Sequence, residues 1–300
     1  MAFDIFFAGS QAKEIDEMIA DNNYCRLFSQ LGEWGGILNW VEWIKSGKTK
    51  SKLMVDSGAY SAKTQGIEID LPNYVEKINL VGEYIYCFAN LDVIPNSSSH
   101  LDIYESAKKG WENFMYIQTH CKYKEKCMFV YHRHDPTEFL DCAIAYYKNN
   151  PELHYFALGG LVALPSTFDF VRDVCEKIKK ELPNVKIHLF GYTRLNKLPY
   201  FNADSTDSTT WLQVGALGYI ITPWGNLRVS EKQKYHKDSI YSLETSAKEV
   251  VINYIKDRGY TVEELEKDYK KRMMFNIQYF VEASKNIKYI PTTVKKRKLI

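Results

Sequence analysis

Short apolar runs that alternate with helical patterns are the feature that most constrains the fold of this 300-residue chain. Parallel strands need crossover connections of about a dozen residues, which are usually helices, and most of the intervals between these runs are long enough for one. Eight such units predict a TIM (β/α)8 barrel, and a doubly wound open sheet is the alternative. The eight runs begin at Asp4, Lys52, Tyr84, Cys127, His154, Lys186, Tyr200 and Gly218.

The sequence changes character after the last of these runs. From residue 229 onward it has helical patterns and no strand pattern, so we predict a barrel domain over residues 1–228 and a helical extension over residues 229–300. One helix is expected to begin at Thr261, because Thr261 and Glu264 have the spacing of a capping box. The densest basic run is "KKRK", Lys295 to Lys298, which is typical of a solvated tail or of a phosphate contact.

Composition narrows the class of protein. Lys and Arg total 39 against 37 Asp and Glu, so the net charge of the protein does not indicate binding to nucleic acid. The six cysteines are scattered, which is typical of reduced thiols. The first residues lack the basic start of a signal peptide, and no apolar stretch approaches the roughly 18 residues of a membrane span. We therefore expect a cytoplasmic protein with no membrane partner. The sequence contains no exposed apolar stripe from which an oligomeric state could be predicted.

Polar residues follow most of the predicted strands. In a TIM barrel the active site lies at the carboxyl ends of the strands, so these residues are expected to share one rim. Each also has a structural interpretation, because aspartates cap helices and form Asx-turns, a histidine can be satisfied within the core, and glycines permit tight turns. The residues are Asp56, Ser57, Asp92, His132, Gly159, Gly160 and the segment from Asp204 to Asp207.

A zinc site and a nucleotide-binding loop are not expected. Cys127 and His132 lie near opposite ends of one predicted strand, about 16 Å apart at roughly 3.3 Å per residue. Ligands of one zinc ion lie near 2 Å from the metal, so these two residues cannot share it. The sequence also contains neither G-x-G-x-x-G after the first strand nor G-x-x-x-x-G-K-[ST].

Five motifs at successive strand ends resemble the tRNA-guanine transglycosylase superfamily: "VDSGAYS", "ANLDVIP", "YFALGGL", "HLFGYT" and "DSTDSTTW". They occur in family order and cover roughly residues 4–225. The chain is most similar to the short phage and bacterial branch proposed to put 7-deazaguanines into DNA. It departs from the family in having Ala59 where the first motif has a second glycine. It also lacks the C-x-C-x-x-C…H zinc motif of the tRNA-modifying members, which favours DNA over tRNA as the partner.

The resemblance implies a role for each candidate residue. Asp56 would be the general acid and base, and Asp207 would be the nucleophile, chosen over Asp204 because the branch pattern D-S-T-x-W fits it better. Asp204 remains the alternative at the same strand end. Among the implied substrate-binding residues, Tyr60 and Phe190 would stack on the base, and Asp92 and His132 would read it. Gly159 and Gly160 would offer backbone groups, and Ser57 and Asp204 complete the set.

The implied reaction exchanges guanine in nucleic acid for a free 7-deazaguanine base, with no metal or organic cofactor. Retention at C1′ needs two displacements, as in retaining glycosidases with paired carboxylates. The target base must also leave its stack. The alternatives are a tRNA transglycosylase without the zinc element, a non-catalytic nucleic-acid-binding relative, and a glycosidase that acts on nucleosides or nucleotides.

Overall fold

Eight parallel strands form a closed barrel, in the order in which they occur in the chain. This computed structural model describes residues 3–9, 12–161, 167–233 and 235–291, so the basic run Lys295 to Lys298 lies outside the described residues. The barrel closes where the first strand pairs with the eighth, with Asp4 opposite Ser205 and Phe7 opposite Ser208. The predicted TIM barrel is therefore confirmed. Its strands are β1 Asp4–Phe7, β2 Arg26–Ser29, β3 Leu53–Asp56, β4 Cys87–Ala89, β5 Cys127–His132, β6 Tyr155–Gly159, β7 Lys186–Leu189 and β8 Ser205–Ser208.

Helices cover the outside of the barrel. Their apolar residues recur at helical spacing, as Val171, Cys175 and Ile178 do in the helix after β6, and they pack on the outward side chains of the strands. The helices before β8 are α1 Lys13–Asp21, α2 Trp34–Lys45, α3 Ala59–Gln65, α4 Leu71–Val81, α5 His100–His120, α6 Thr137–Asn149 and α7 Thr167–Glu181. After β8 come α8 Thr210–Ala216, β9 Tyr219–Thr222, β10 Gly225–Arg228, α9 Thr245–Lys256, α10 Val262–Lys267 and α11 Tyr269–Lys285.

Alternate residues of the strands point into the barrel. Successive side chains of a strand lie on opposite faces, so the inward positions recur every second residue. The next inward positions toward the carboxyl ends of β3, β5 and β6 are Asp56, His132 and Gly159. The buried apolar residues of the barrel interior include Phe6, Leu27, Met54, Met128 and Ala157. Beyond them, at the carboxyl ends of the strands, the inward positions include the polar residues Asp56 and His132.

The prediction identified the number of barrel strands but not all of their positions. It missed β2, whose first residue is the fully buried Arg26. The guanidinium of Arg26 pairs with Asp16 at 3.0 Å and donates to the carbonyl oxygens of Phe7, Leu27 and Gly9, which allows a charge inside an apolar strand. The run predicted as the eighth barrel strand is β9, which pairs antiparallel with β10 outside the barrel. A two-residue hairpin turn can join only antiparallel strands, so this run could not continue a parallel barrel.

The helical extension completes the outer layer of the barrel. Helix α11 packs against α8, β1 and α1, which is the position of the outer helix between β8 and β1. Its residues Met273, Ile277 and Phe280 are buried in the same cluster as the outward residues of the strands. The close contact depends on Gly215, because a Cβ there would lie 2.7 Å from Cγ of Met273. The predicted extension over residues 229–300 thus contains α11, which packs on the barrel.

The capping box predicted at Thr261 and Glu264 is confirmed, but the helix that it begins is short. It ends at Lys267, and Asp268 caps a new helix, α11, by accepting from the backbone N–H of Lys270 at 2.8 Å. A third apolar cluster lies between the hairpin and the helices of the extension and contains Ile220, Val229, Ile240, Val251, Ile255, Leu265 and Phe275. Within the described ranges, no helix is both long and apolar enough to cross a bilayer.

Candidate active site

Three carboxylates meet at the carboxyl end of the barrel. Asp56 is the last residue of β3, Asp92 lies three residues beyond β4, and Asp207 is the third residue of β8. They are close enough that the charges of Asp92 and Asp207 both raise the pKa of Asp56. Because the carboxyl ends of parallel strands share one face of a barrel, the fold brings together residues that are far apart in the sequence.

Asp56 is the acid with the most perturbed titration. Burial, and then the negative charges of Asp92 and Asp207, raise its pKa to about 7, and the backbone N–H groups of Ser57 and Gly58 only partly oppose this. The Gly58 amide donates to Oδ2 of Asp56 at 3.0 Å. Gly58 has φ +80°, and a Cβ there would lie 2.6 Å from Cβ of Leu31, so the turn after β3 requires glycine. A carboxyl group with this pKa can give and take a proton near neutral pH.

Asp92 is held by a hydrogen-bond donor on each oxygen. The hydroxyl of Ser57 donates to Oδ1 at 2.8 Å, and Nε2 of His132 lies 3.0 Å from Oδ2. Burial lowers the pKa of His132, but hydrogen bonds to Asp135 and Asp92 outweigh it and raise that pKa to about 10. His132 is thus an imidazolium that lies between the carboxylates of Asp92 and Asp135.

These contacts change the interpretation of two residues predicted to bind substrate. Ser57 is fully buried. Its hydroxyl accepts from the backbone N–H of Ala59 and donates to Asp92, so it holds the Asp92 carboxylate in place. In His132, Nε2 faces Asp92, while Nδ1 lies 3.5 Å from Asp135, whose carboxylate also accepts the backbone N–H of His132. Both residues therefore contact the acids that they hold in place.

The two glycines after β6 have different structural roles. A Cβ at Gly159 would lie 2.5 Å from Cδ2 of His132, so glycine at this position makes room for the imidazolium. Gly160 has φ +68°, which an L side chain rarely adopts. The resemblance gives both residues a backbone contact with the heterocycle, but Gly159 is buried and only Gly160 is exposed.

Asp207 has both of its described donors on one oxygen. The backbone N–H of Gly191 donates to Oδ1 at 2.7 Å, and Nε2 of His188 lies 3.2 Å from the same atom. Among the described residues, no donor reaches Oδ2. The end of β8 is anchored by Trp211, whose indole N–H donates to the carbonyl oxygen of Ser208 at 2.9 Å. Trp211 therefore has a structural reason to follow Asp207 at this spacing.

The interpretation of Asp204 as a residue of this rim is wrong. Asp204 precedes β8, and its carboxylate accepts from Nζ of Lys179 at 2.7 Å and from the backbone N–H of Ile187 at 2.8 Å, at the amino ends of β7 and β8. Asp207 lies three positions further along the strand, about 10 Å away at roughly 3.3 Å per residue. The prediction placed the strand at Tyr200, too early in the chain, and so assigned the start of β8 to its end.

The two predicted stacking residues differ in exposure. Tyr60 lies in the first turn of α3, and 72% of its surface is exposed. Phe190 directly follows β7 and packs against the barrel interior, with its ring 4.6 Å from the ring of His188 in an edge-on arrangement. Only Phe190 is therefore fixed by its neighbours.

A separate cavity of about 220 Å³ opens at the amino ends of the strands. Its two lysines already have partners on this chain. Lys52 pairs with Asp4, and Lys186 donates to the hydroxyl of Tyr86 at 2.8 Å. The three clustered carboxylates are at the other end of the barrel, so we place the candidate active site there.

The comparisons with known proteins do not extend this picture. No protein-family model matches the sequence, and no curated protein is similar to it at a significant level. In the described part of the chain, no three His, Cys, Asp or Glu side chains form a group that could hold a metal ion. The chemistry of the site must therefore be argued from its own residues.

Proposed function

We propose that this protein is a base-exchange transglycosylase that replaces guanine in DNA with a 7-deazaguanine through a covalent aspartyl intermediate. The observation that carries the proposal is the different environment of three neighbouring carboxylates. Asp207 has its described donors on one oxygen only, Asp92 lies between a hydroxyl and an imidazolium, and Asp56 has a pKa of about 7. One site thus contains a nucleophile, a base-reading carboxylate and a proton carrier.

The proposed reaction consists of two displacements at C1′. Oδ2 of Asp207 attacks C1′ as the bond from C1′ to N9 of guanine breaks, and protonated Asp56 gives its proton to the departing base. The incoming 7-deazaguanine then loses its N9 proton to Asp56, and N9 attacks C1′ and expels Asp207. The glycosidic bond is restored with retention, and Asp56 is protonated again.

Asp92 fits the recognition of a guanine-type base. Its carboxylate can accept the N1–H and the 2-amino group, which point in the same direction on guanine and its 7-deaza analogues. The imidazolium of His132 lies 3.0 Å from Oδ2 of Asp92 and orients this carboxylate. A base without the 2-amino group would make one hydrogen bond fewer to this carboxylate, and a hydrogen bond to a charged group contributes about 1.5–3 kcal/mol.

DNA is preferred as the polymer because the sequence lacks the C-x-C-x-x-C…H motif of the tRNA-modifying relatives that it resembles. We place the reaction in the cytoplasm. All six cysteines are free thiols, as is usual for a protein of a reducing compartment.

The proposal is tested with labelled 7-deazaguanine base and duplex DNA, single-stranded DNA and tRNA in parallel. We expect incorporation of the label into DNA. Incorporation into tRNA alone would show that the substrate is tRNA and not DNA. When guanine is expelled and no incoming base is supplied, denaturing gels should show protein trapped on DNA. Asp207→Asn should abolish this adduct, whereas the matched control Asp204→Asn should retain it. Base exchange without any adduct would refute the covalent mechanism.

A further inference from the structure

His188 is a buried residue of the candidate site that the sequence did not mark. It lies on β7, two residues before Phe190, and only 2% of its surface is exposed. Nδ1 lies 2.9 Å from the hydroxyl of Ser205, and Nε2 lies 3.2 Å from Oδ1 of Asp207. Both ring nitrogens are therefore within hydrogen-bond distance of a residue of β8.

The identity of these partners fixes the tautomer of His188. A carboxylate only accepts hydrogen bonds, so the contact with Asp207 requires a proton on Nε2. In the neutral ring Nδ1 is then an acceptor, and the hydroxyl of Ser205 can donate to it. A line of two hydrogen bonds thus runs from Ser205 through His188 to Asp207.

The imidazole has little freedom to rotate. Its ring lies edge-on to Phe6, with 5.8 Å between centroids and 83° between planes, and edge-on to Phe190 at 4.6 Å and 77°. With the ring held on two sides, the N–H at Nε2 has a fixed direction. This direction converges with the Gly191 N–H on Oδ1 of Asp207.

We infer that His188 is a positioning residue that orients the Asp207 carboxylate, so that Oδ1 is held by two donors and Oδ2 is presented to C1′. The inference rests on the proposed function, because it assigns a task to Asp207 in that reaction. Ser205 supports it by fixing the tautomer. A carboxylate with one oxygen held in this way does not have to lose rotational freedom during the attack.

Three substitutions of His188 separate a hydrogen-bond role from a packing role. In His188→Gln, the side-chain amide can place an N–H near the position of Nε2. In His188→Asn, the shorter amide reaches only the region of Nδ1, and in His188→Phe the ring volume remains without a donor. Loss of a hydrogen bond to a charged group corresponds to a change of about 10- to 100-fold.

We expect the rate of adduct formation to fall about 10- to 100-fold in His188→Phe and His188→Asn, with KM for DNA unchanged. His188→Gln should stay within about 10-fold of the wild-type rate. A purely structural role would instead make all three variants lose thermal stability and activity together. Equal rates in wild type and His188→Phe would refute the role of His188.

Nitrogen-15 NMR of the histidine-labelled protein gives a readout without substrate. The resonances of His188 are assigned by their absence in His188→Gln. We expect protonated Nε2 and unprotonated Nδ1 in the wild type, and a mixture of tautomers in Asp207→Ala. A proton on Nδ1 in the wild-type neutral ring, or no change in Asp207→Ala, would overturn the inference.

The two experiments also separate the inference from the proposed function. A wild-type protein that forms no adduct and exchanges no base on DNA or tRNA refutes the function, whatever the NMR spectra show. A wild-type protein that forms the adduct, with His188→Phe equally fast, refutes only the positioning role.

Discussion

Replacing Asp56 by asparagine should stabilise the protein at alkaline pH while it abolishes turnover. The pKa of Asp56 is about 7 in the folded protein, because of burial and the charges of Asp92 and Asp207, whereas an aspartate in an unfolded chain titrates near 3.9. Because the folded state holds the proton of Asp56 more tightly than the unfolded state, protonation of Asp56 favours folding. This contribution to the free energy of unfolding is complete below about pH 4 and is lost as the pH rises through about 7. Asparagine keeps the shape and the acceptor for Gly58 without acquiring the charge.

The size of the effect follows from the two pKa values. They differ by about 3, and each pKa unit corresponds to about 1.4 kcal/mol, so the largest difference is about 4 kcal/mol. Water entry and small relaxations around Asp56 reduce this figure, and we expect Asp56→Asn to gain about 2–4 kcal/mol over wild type above about pH 8.

The assay is urea unfolding of wild type and Asp56→Asn at intervals between about pH 4.5 and pH 8.5. The two free energies of unfolding should nearly coincide at the acid end and diverge steadily up to about pH 7.5. Asp21→Asn, at an exposed position in α1, is the matched control and should run parallel to wild type. Parallel curves for Asp56→Asn would show that this carboxyl titrates normally, and the argument for a proton carrier would fail.

Three further outcomes are expected. Gly159→Ala forces a Cβ against the His132 ring and should lower both stability, by about 1–3 kcal/mol, and base exchange, whereas Gly35→Ala, with nothing within 4 Å, should not destabilise the protein in urea unfolding. Asp204→Asn should cost about 1–3 kcal/mol in thermal unfolding and leave the kcat of base exchange within a few-fold of wild type, so a complete loss of activity would restore Asp204 to the site. The rate of adduct formation should fall above about pH 7 as Asp56 loses its proton, and a flat profile between about pH 6 and pH 9 would exclude it as the acid.

The sequence predicted the barrel because periodicity and spacing are local properties. It did not predict β2, because the neutralisation of Arg26 by Asp16 and by three carbonyl oxygens is visible only in three dimensions. The reverse error concerned β9, whose apolar pattern fits a strand equally well inside or outside a barrel. The turn of Pro223 and Trp224 was the local feature that excluded a parallel partner.

The candidate site was predictable to the extent that it consists of acids at strand ends. Asp56 ends an apolar run and Asp92 follows one, whereas Asp207 lies in the polar strand β8, and the parallel fold brings the three together. The contacts that distinguish the three acids were not predictable, because His132 and His188 reach them from neighbouring strands. A histidine on an apolar strand has no sequence feature that names its partner.

Helix α11 has a consequence for how the chain folds during synthesis. The ribosome releases β1 well before α11, the helix that covers β1 beside α8. Until then, the surface that Met273, Ile277 and Phe280 will cover stays open to water and to other nascent chains. Contacts between distant parts of a sequence also form slowly. Premature termination before α11 should therefore yield an aggregation-prone fragment, whose two sheet-closing strands lack their outer cover.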